Sequence, residues 1–250
     1  MSFIHVSKDK EIAVITLSRG KVNALNEVMV EEISGCFEDL ERDKSIKATI
    51  LTGHGKFFSF GFDIPEFLSY SRESFINYLT NFTDLYRHIF LFPKPVIAAL
   101  NGHTIAGGCM LATACDYRIM VSGKAKISLN EINLGSSVIA GSVEILKYCV
   151  GQRNAEKILY SGAMYSAEEA SQLGLIDQIS SQDALAEDAG KVAEDFAIKS
   201  SQAFRSIKGL LRRSVAEEMV KKEKDSILEF VDIWYSEETW GNLQQIEVHS

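Results

Sequence analysis

The chain has 250 residues, 46% of them hydrophobic and 24% charged, which is enough to bury a sizeable core and suits one compact unit better than several. A formal charge of −8 repels polyanions, so neither a nucleic acid nor an anionic membrane surface is an expected partner. The N-terminal stretch MSFIHVSKDKEIAVITLSRG breaks its apolar runs with charge, unlike a secretory signal or a spanning helix, and a cytoplasmic location is expected.

In chain order, IAVITLS (12–18) reads as a strand and is followed by a helix, in which Val30, Ile33, Phe37 and Leu40 recur at spacings of three and four behind a candidate cap, Asn26. IKATILT (46–52) reads as a second strand. A second helix carries Phe75, Leu79, Phe82 and Ile89 and must stop before Pro93 and Pro95, since proline removes a donor and restricts its predecessor. VIAAL (96–100) and YRIMV (117–121) are further strands. Beyond 121 the pattern turns helical through AGSVEILKYCVG, RNAEKILYSG and SAEEASQLG, with LIDQIS as one strand, then long amphipathic segments from Gln182 to about Leu243. No flexible linker and no tandem repeat is evident. The pattern predicts an α/β core with a helical C-terminal section. In that section DSILEFVDIWYSEETW carries Leu228, Phe230, Val231, Trp234, Tyr235 and Trp240, which suit either packing on the core or a subunit interface.

Two glycine loops and one glutamate are the candidate chemistry. In HGKFFSFGFDIPEF (54–67), Gly61 would let backbone approach a ligand and aim the Phe62 N–H into a pocket, or the loop is simply the turn after a strand. In VIAALNGHTIAGGCML the chain enters a helix near Gly107, whose free N–H groups suit an anion or a developing oxyanion; close helix–strand packing is the alternative. The loop lacks G-x-G-x-x-G and a P-loop lysine, which disfavours a nucleotide phosphate. Glu131, in AKISLNEINLGSS, is either a desolvated acid–base group among Ile127, Leu129, Ile132 and Leu134 or an exposed glutamate favoured by a helix start. His103 reads as structural, Asp116 and Arg118 as a structural pair, and Glu144 as a solvated residue with a reserve role as an acid. Cys36, Cys109, Cys115 and Cys149 form no C-x-x-C pair and do not group with histidines, so buried free thiols are expected and no metal site.

Taken together, VNALN (22–26), ILTGHGKFFSFGFDIPEF (50–67), KPVIAALNGHTIAGGCMLATACDYRI (94–119), ISLNEINLG (127–135) and SGAMYSAEEASQLGLIDQI (161–179) resemble the enoyl-CoA hydratase/isomerase, or crotonase, superfamily over roughly residues 10 to 240. The resemblance implies a spiral of ββα units over residues 1–195, and a helical section over 196–250 that covers the active site and trimerises, as a homotrimer or a dimer of trimers. It implies an acyl-CoA thioester as substrate and no separate cofactor, coenzyme A being part of the substrate. The thioester oxygen would be held by the N–H groups of Phe62 and Gly107. Phe60, Gly61, Phe62, Asp63 and Ile64 would line the thioester site, and Val22 and Ala24 would touch the coenzyme arm through backbone.

Hydratases of this family use two glutamates, and here the second matches Glu131 whereas the first is Met110, which cannot hold an attacking water as a carboxylate would. The pattern is similar to the mitochondrial Δ3,Δ2-enoyl-CoA isomerase branch, in which one glutamate shuttles a proton from C2 to C4. Met110 is then expected beside the substrate, keeping water from C3. Ala106 in place of a glycine, bulk at Phe60 and Phe62, and SSVIAGSVEIL where P-G-A-G-G-T is usual are departures from the family. Another crotonase reaction on an acyl thioester, or a non-catalytic acyl-CoA-binding protein, are the rival readings.

Overall fold

A computed structural model describes residues 2–246. Its strands are β1 (Ile4–Asp9), β2 (Ile12–Leu17), β3 (Ala48–Gly53), β4 (Phe57–Ser59), β5 (Val96–Leu100), β6 (His103–Ile105), β7 (Tyr117–Val121), β8 (Ile127–Ser128) and β9 (Gln178–Ser180). Its helices are α1 (Glu27–Arg42), α2 (Ile64–Phe67), α3 (Arg72–Leu91), α4 (Gly107–Ala114), α5 (Ala140–Ser161), α6 (Ala167–Gln172), α7 (Leu185–Ala197), α8 (Ser201–Trp234) and α9 (Glu237–Leu243), with a 3-10 turn at Glu131–Leu134.

The larger sheet has the order β1-β2-β3-β5-β7-β9, with β1 antiparallel to β2 and the remaining pairs parallel. The sequence explains the two kinds of strand. β2 buries Ala13, Ile15 and Leu17 on alternate positions, whereas VIAAL in β5 is buried at every residue, as a central parallel strand covered on both faces must be. The smaller sheet, β4-β6-β8, is parallel and built from strands of two or three residues. Strands β3 and β4, β5 and β6, and β7 and β8 thus form three successive pairs, each giving one strand to each sheet and each followed by helix. This is the expected α/β spiral of ββα units, repeated in space without a repeat in the sequence.

Helix starts follow their caps. The Asn26 side chain accepts from the Met29 N–H at 3.0 Å and Ser71 opens α3 by accepting from Ser74 at 3.1 Å, while α3 ends at Leu91 ahead of Pro93. AGSVEILKYCVG and RNAEKILYSG are two helical stretches joined at a kink, where Gly151 has φ +76°. Helix α8 lies against α3 and α5, and part of its aromatic segment packs on the core: Phe230, Val231 and Trp234 are buried, Trp234 with its ring centroid 4.7 Å from that of Phe75. Leu228 of the same segment is exposed, as are Ile207, Leu210, Leu211 and Val220 elsewhere on α8.

Helix α8 is also held by charge. Lys208 and Arg212 reach the buried Asp116 at 2.7 and 3.1 Å, and Arg212 donates to the carbonyls of Phe90 and Ala114. The expected pairing of Asp116 with Arg118 is therefore corrected: Arg118 pairs with Asp177 at 2.8 Å, while Asp116 is taken by Lys208 and Arg212 of α8. The four cysteines are free thiols, and burial pushes Cys115 up to about 12. No helix among the described residues is long and apolar enough to cross a membrane.

Candidate active site

The small sheet assembles the site. Its three parallel strands end at Ser59, Ile105 and Ser128, and just beyond those ends come Phe62, Gly107 and Glu131. Ligand groups at the carboxyl ends of parallel strands are the general expectation for α/β sheets. Residues far apart in the chain meet because their strands are in register: Ile105 faces Ser128 in the β6–β8 ladder, and the Ala106 N–H donates to the Ser128 carbonyl at 2.8 Å.

The first loop is fixed on both sides of Phe62. Leu25 N–H donates to the Gly61 carbonyl at 2.7 Å, and Asp63 N–H donates to the Leu25 carbonyl at 3.1 Å. The Phe60 N–H is taken by the Val22 carbonyl at 2.9 Å, while the Phe62 N–H donates to no described residue. Arg19 ties the flanks together, donating to the Ala24 carbonyl at 3.0 Å and to the side chains of Asp63 and Glu66, and Asp63 in turn caps α2. The Phe62 ring packs edge-on against Phe67, Tyr78 and Phe82. Its backbone is consequently held still while its amide is left free.

The second loop turns at Ala106, whose φ of 49° and ψ of −119° belong to a region that L side chains rarely enter. Met110 N–H returns to the Ala106 carbonyl at 2.9 Å, and the Gly107 N–H, at the first position of α4, has no acceptor among the described residues. The two loops touch. At Gly61, with φ +92°, a Cβ would lie 2.9 Å from the Gly107 nitrogen and 2.9 Å from the Ile105 oxygen, so only glycine allows this approach.

Glu131 is 8% exposed, and neither of its carboxylate oxygens meets a hydrogen-bond partner among the described residues. Burial pushes its carboxyl up to about 7, with its own backbone N–H offsetting a part. The reading of Glu131 as an exposed helix-start residue is thus set aside in favour of the desolvated one. It faces a cavity of about 180 Å³ lined by Phe60, Phe62, Ile64, Ile105, Ala106, Asn130, Glu131, Leu134, Ser136, Phe230, Trp234 and Ile246. Among the described residues, Glu131 is the one carboxylate on that wall. A free acid–base group and two free N–H donors at neighbouring strand ends form an arrangement able to move a proton next to a carbonyl and stabilise the resulting oxyanion.

Other expected residues are placed differently. Val22, Ala24, Gly61 and Asp63 form the framework behind Phe62 and do not line the cavity, the Val22 and Ala24 carbonyls being engaged by Phe60 and Arg19. Met110 is 1% exposed and, like Gly107, is not on the wall of this cavity, every residue of α4 being buried. Glu144 lies outside as well. Burial opposes its charge, but hydrogen bonds from Lys222 and Lys147 outweigh this and hold its carboxyl below the ordinary range. His103 is half-buried with its ring centroid 5.1 Å from that of Phe57. Sequence reasoning missed Ser136, Phe230 and Trp234 as wall residues. The last two sit four apart on the apolar face of α8, which was the available signal.

The family model described as Enoyl-CoA hydratase/isomerase matches residues 7–238. A probable enoyl-CoA hydratase of Bacillus subtilis (strain 168) is 37% identical over 84% of this chain and 82% of its own length. The mitochondrial enoyl-CoA delta isomerase 1 of Mus musculus is 30% identical, over 88% of this chain and 76% of its own. Among solved structures, human mitochondrial delta3-delta2-enoyl-CoA isomerase superposes with a TM-score of 0.92 at 28% identity, covering 97% of this chain and 96% of that one. An enoyl-CoA hydratase from Bacillus halodurans superposes with a TM-score of 0.90 at 25% identity, covering 98% and 100%.

Proposed function

We propose, from the premise that this chain belongs to the enoyl-CoA hydratase/isomerase family, that it is an acyl-CoA isomerase moving the double bond of a 3-enoyl-CoA to the 2-position. The observation that carries the reading is Glu131: one unpartnered carboxylate, with no second carboxylate on the wall of this cavity among the described residues. Hydration requires a water to be held and activated while C2 is protonated, which two carboxylates do well and one does poorly. A single carboxylate suffices to carry one proton between two carbons.

The thioester carbonyl accepts from the Phe62 and Gly107 N–H groups. Glu131, as carboxylate, takes a proton from C2; the electron pair moves to the carbonyl oxygen, giving a dienolate held by the two donors. Glu131, now the acid, returns the proton to C4, the oxygen's electrons reform the carbonyl, and the double bond lies between C2 and C3. A carboxyl raised to about 7 serves both halves near neutrality, being available in either form. The two N–H donors need no reorganisation as charge develops, and one such donor is worth about 2.7–4 kcal/mol in the transition state. The coenzyme arm lies along Val22 and Ala24, beside Asp63 and Ile64, and no separate cofactor takes part. The section from residue 196 onward closes the site through Phe230 and Trp234 and trimerises through the exposed apolar side of α8.

The hydratase names among the relatives favour one rival, hydration on the same site. Incubating the protein with a 3-enoyl-CoA in heavy water and identifying products separates the two. A conjugated 2-enoyl-CoA with deuterium exchange supports isomerisation; a 3-hydroxyacyl-CoA as the main product overturns it. Acyl-CoA binding with no exchange at all would mean a binding protein.

A further inference from the structure

Glu131 stands between two cavities. Besides the 180 Å³ space beside Phe62 and Ala106, it lines a second one of about 310 Å³, between the 3-10 turn and α5, and Ser136 is the other residue common to both walls. The second cavity is walled chiefly by Leu129, Val138, Val143, Ala155 and Leu159, with Lys147, Gln152, Glu156 and Tyr160 also on its wall. Tyr160 is 74% exposed, so this space opens to solvent.

Carbon connectivity dictates where a tail must go. With C1 at Phe62 and Gly107, Glu131 has to reach both C2 and C4, so C5 and everything after it lie on the far side of the carboxylate from the thioester. The first cavity lies below the ~300–1,000 Å³ of ordinary ligand sites, and the large side chains of Phe60, Phe230 and Trp234 stand on its wall. The second cavity begins at the same carboxylate, and its apolar wall suits methylene groups. Four of its residues, Ser136, Ser137, Val138 and Val143, fall within SSVIAGSVEIL.

We infer that the second cavity is the acyl-tail subsite, and that the substrates are chains longer than six carbons, whose tails run past Glu131 and Ser136 between the 3-10 turn and α5. This rests on the isomerase reading for the placement of C2 and C4 at Glu131. Val143 and Leu159 are then specificity-determining residues. The buried Ser136 hydroxyl, which meets no hydrogen-bond partner among the described residues, marks the passage between the two spaces.

The test uses saturated acyl-CoAs, which bind without reacting. Calorimetric titration of the whole protein with butanoyl-, hexanoyl-, octanoyl-, decanoyl- and dodecanoyl-CoA is expected to show affinity rising up to about fourfold for each methylene added beyond hexanoyl. Val143→Phe narrows the cavity and should reduce the decanoyl-over-hexanoyl affinity ratio at least about tenfold. Leu159→Trp, at a half-buried position, should do the same and serves if Val143→Phe does not fold. A wild-type affinity that is flat with chain length, or variants that weaken every length by the same factor, would overturn the inference. The isomerisation assay is read separately. Length-dependent binding without turnover leaves the tail subsite standing and removes the isomerase reading, whereas turnover with flat binding does the reverse.

Discussion

A Cβ placed on Gly61 would lie 2.9 Å from the Gly107 nitrogen, so the two loops carrying the proposed oxyanion donors are in direct contact, with no room for a side chain between them. The Phe62 and Gly107 amides are spaced by that contact. Gly61→Ala must push them apart and also strain a residue at φ +92°. The expected result is a fall in kcat of about 100- to 1,000-fold, the cost of losing one donor, measured on a 3-enoyl-CoA with a folded variant. Activity within a few-fold of the parent would remove the oxyanion role from this pair of loops.

Glu131→Gln keeps the shape of the side chain and cannot carry a proton. Isomerisation should fall at least about 100-fold, while acyl-CoA binding persists. An unchanged rate would end the single-glutamate mechanism.

The same residue makes stability depend on pH. An unfolded Glu131 gives up its proton near 4.5 and the folded one near 7, so between these values the unfolded chain binds fewer protons and stability falls as pH rises. Above about 7 the full penalty persists, on the order of 3 kcal/mol. Denaturant titrations at several pH values should show Glu131→Gln without this decline and more stable than the parent above neutrality. In activity the sign is opposite: kcat/KM should drop about tenfold per unit as pH falls below about 7, because the base is being protonated.

Ala106 occupies a backbone region that suits glycine, at φ 49° and ψ −119°. Relief of that strain by Ala106→Gly should outweigh the added freedom of the unfolded chain and stabilise by about 1 kcal/mol, raising Tm by roughly 2–4 °C. A lowered Tm in calorimetry would show that the turn is not strained.

Asp116 sits between Lys208 and Arg212, with both cations nearly buried. Asp116→Asn leaves them without a counter-charge and should cost about 3–5 kcal/mol in chemical denaturation. A loss under about 1 kcal/mol would mean that α8 is held by its apolar contacts alone.

Much of this architecture can be read from the amino acids, and what cannot has a physical reason. VIAAL and YRIMV give β5 and β7 to the residue because both are runs of buried, strand-forming side chains. Strands β4, β6 and β8 are invisible to the same reasoning, since two or three residues hold no period to detect. Glu131 could be singled out, but its burial could not, because the apolar neighbours on each side are equally compatible with a surface turn. Met110 could likewise be singled out by its chemistry, but not its burial, which depends on the packing around α4. Ser136 carried no local signal, its position on the wall depending on α5 returning across the 3-10 turn.

The ledge formed by β4, β6 and β8 has a consequence for how such a protein changes. Each participant in the proposed chemistry is borne by its own short strand, and behind them the six-stranded sheet and α3 take no part in the reaction. Away from the tight contact of Gly61 with Gly107, a substitution just past one strand end can alter one participant and leave the others at their stations. Reactions can therefore diverge one tip at a time over an unaltered spiral, and proteins named for adding water and proteins named for shifting a double bond superpose on this chain almost equally well.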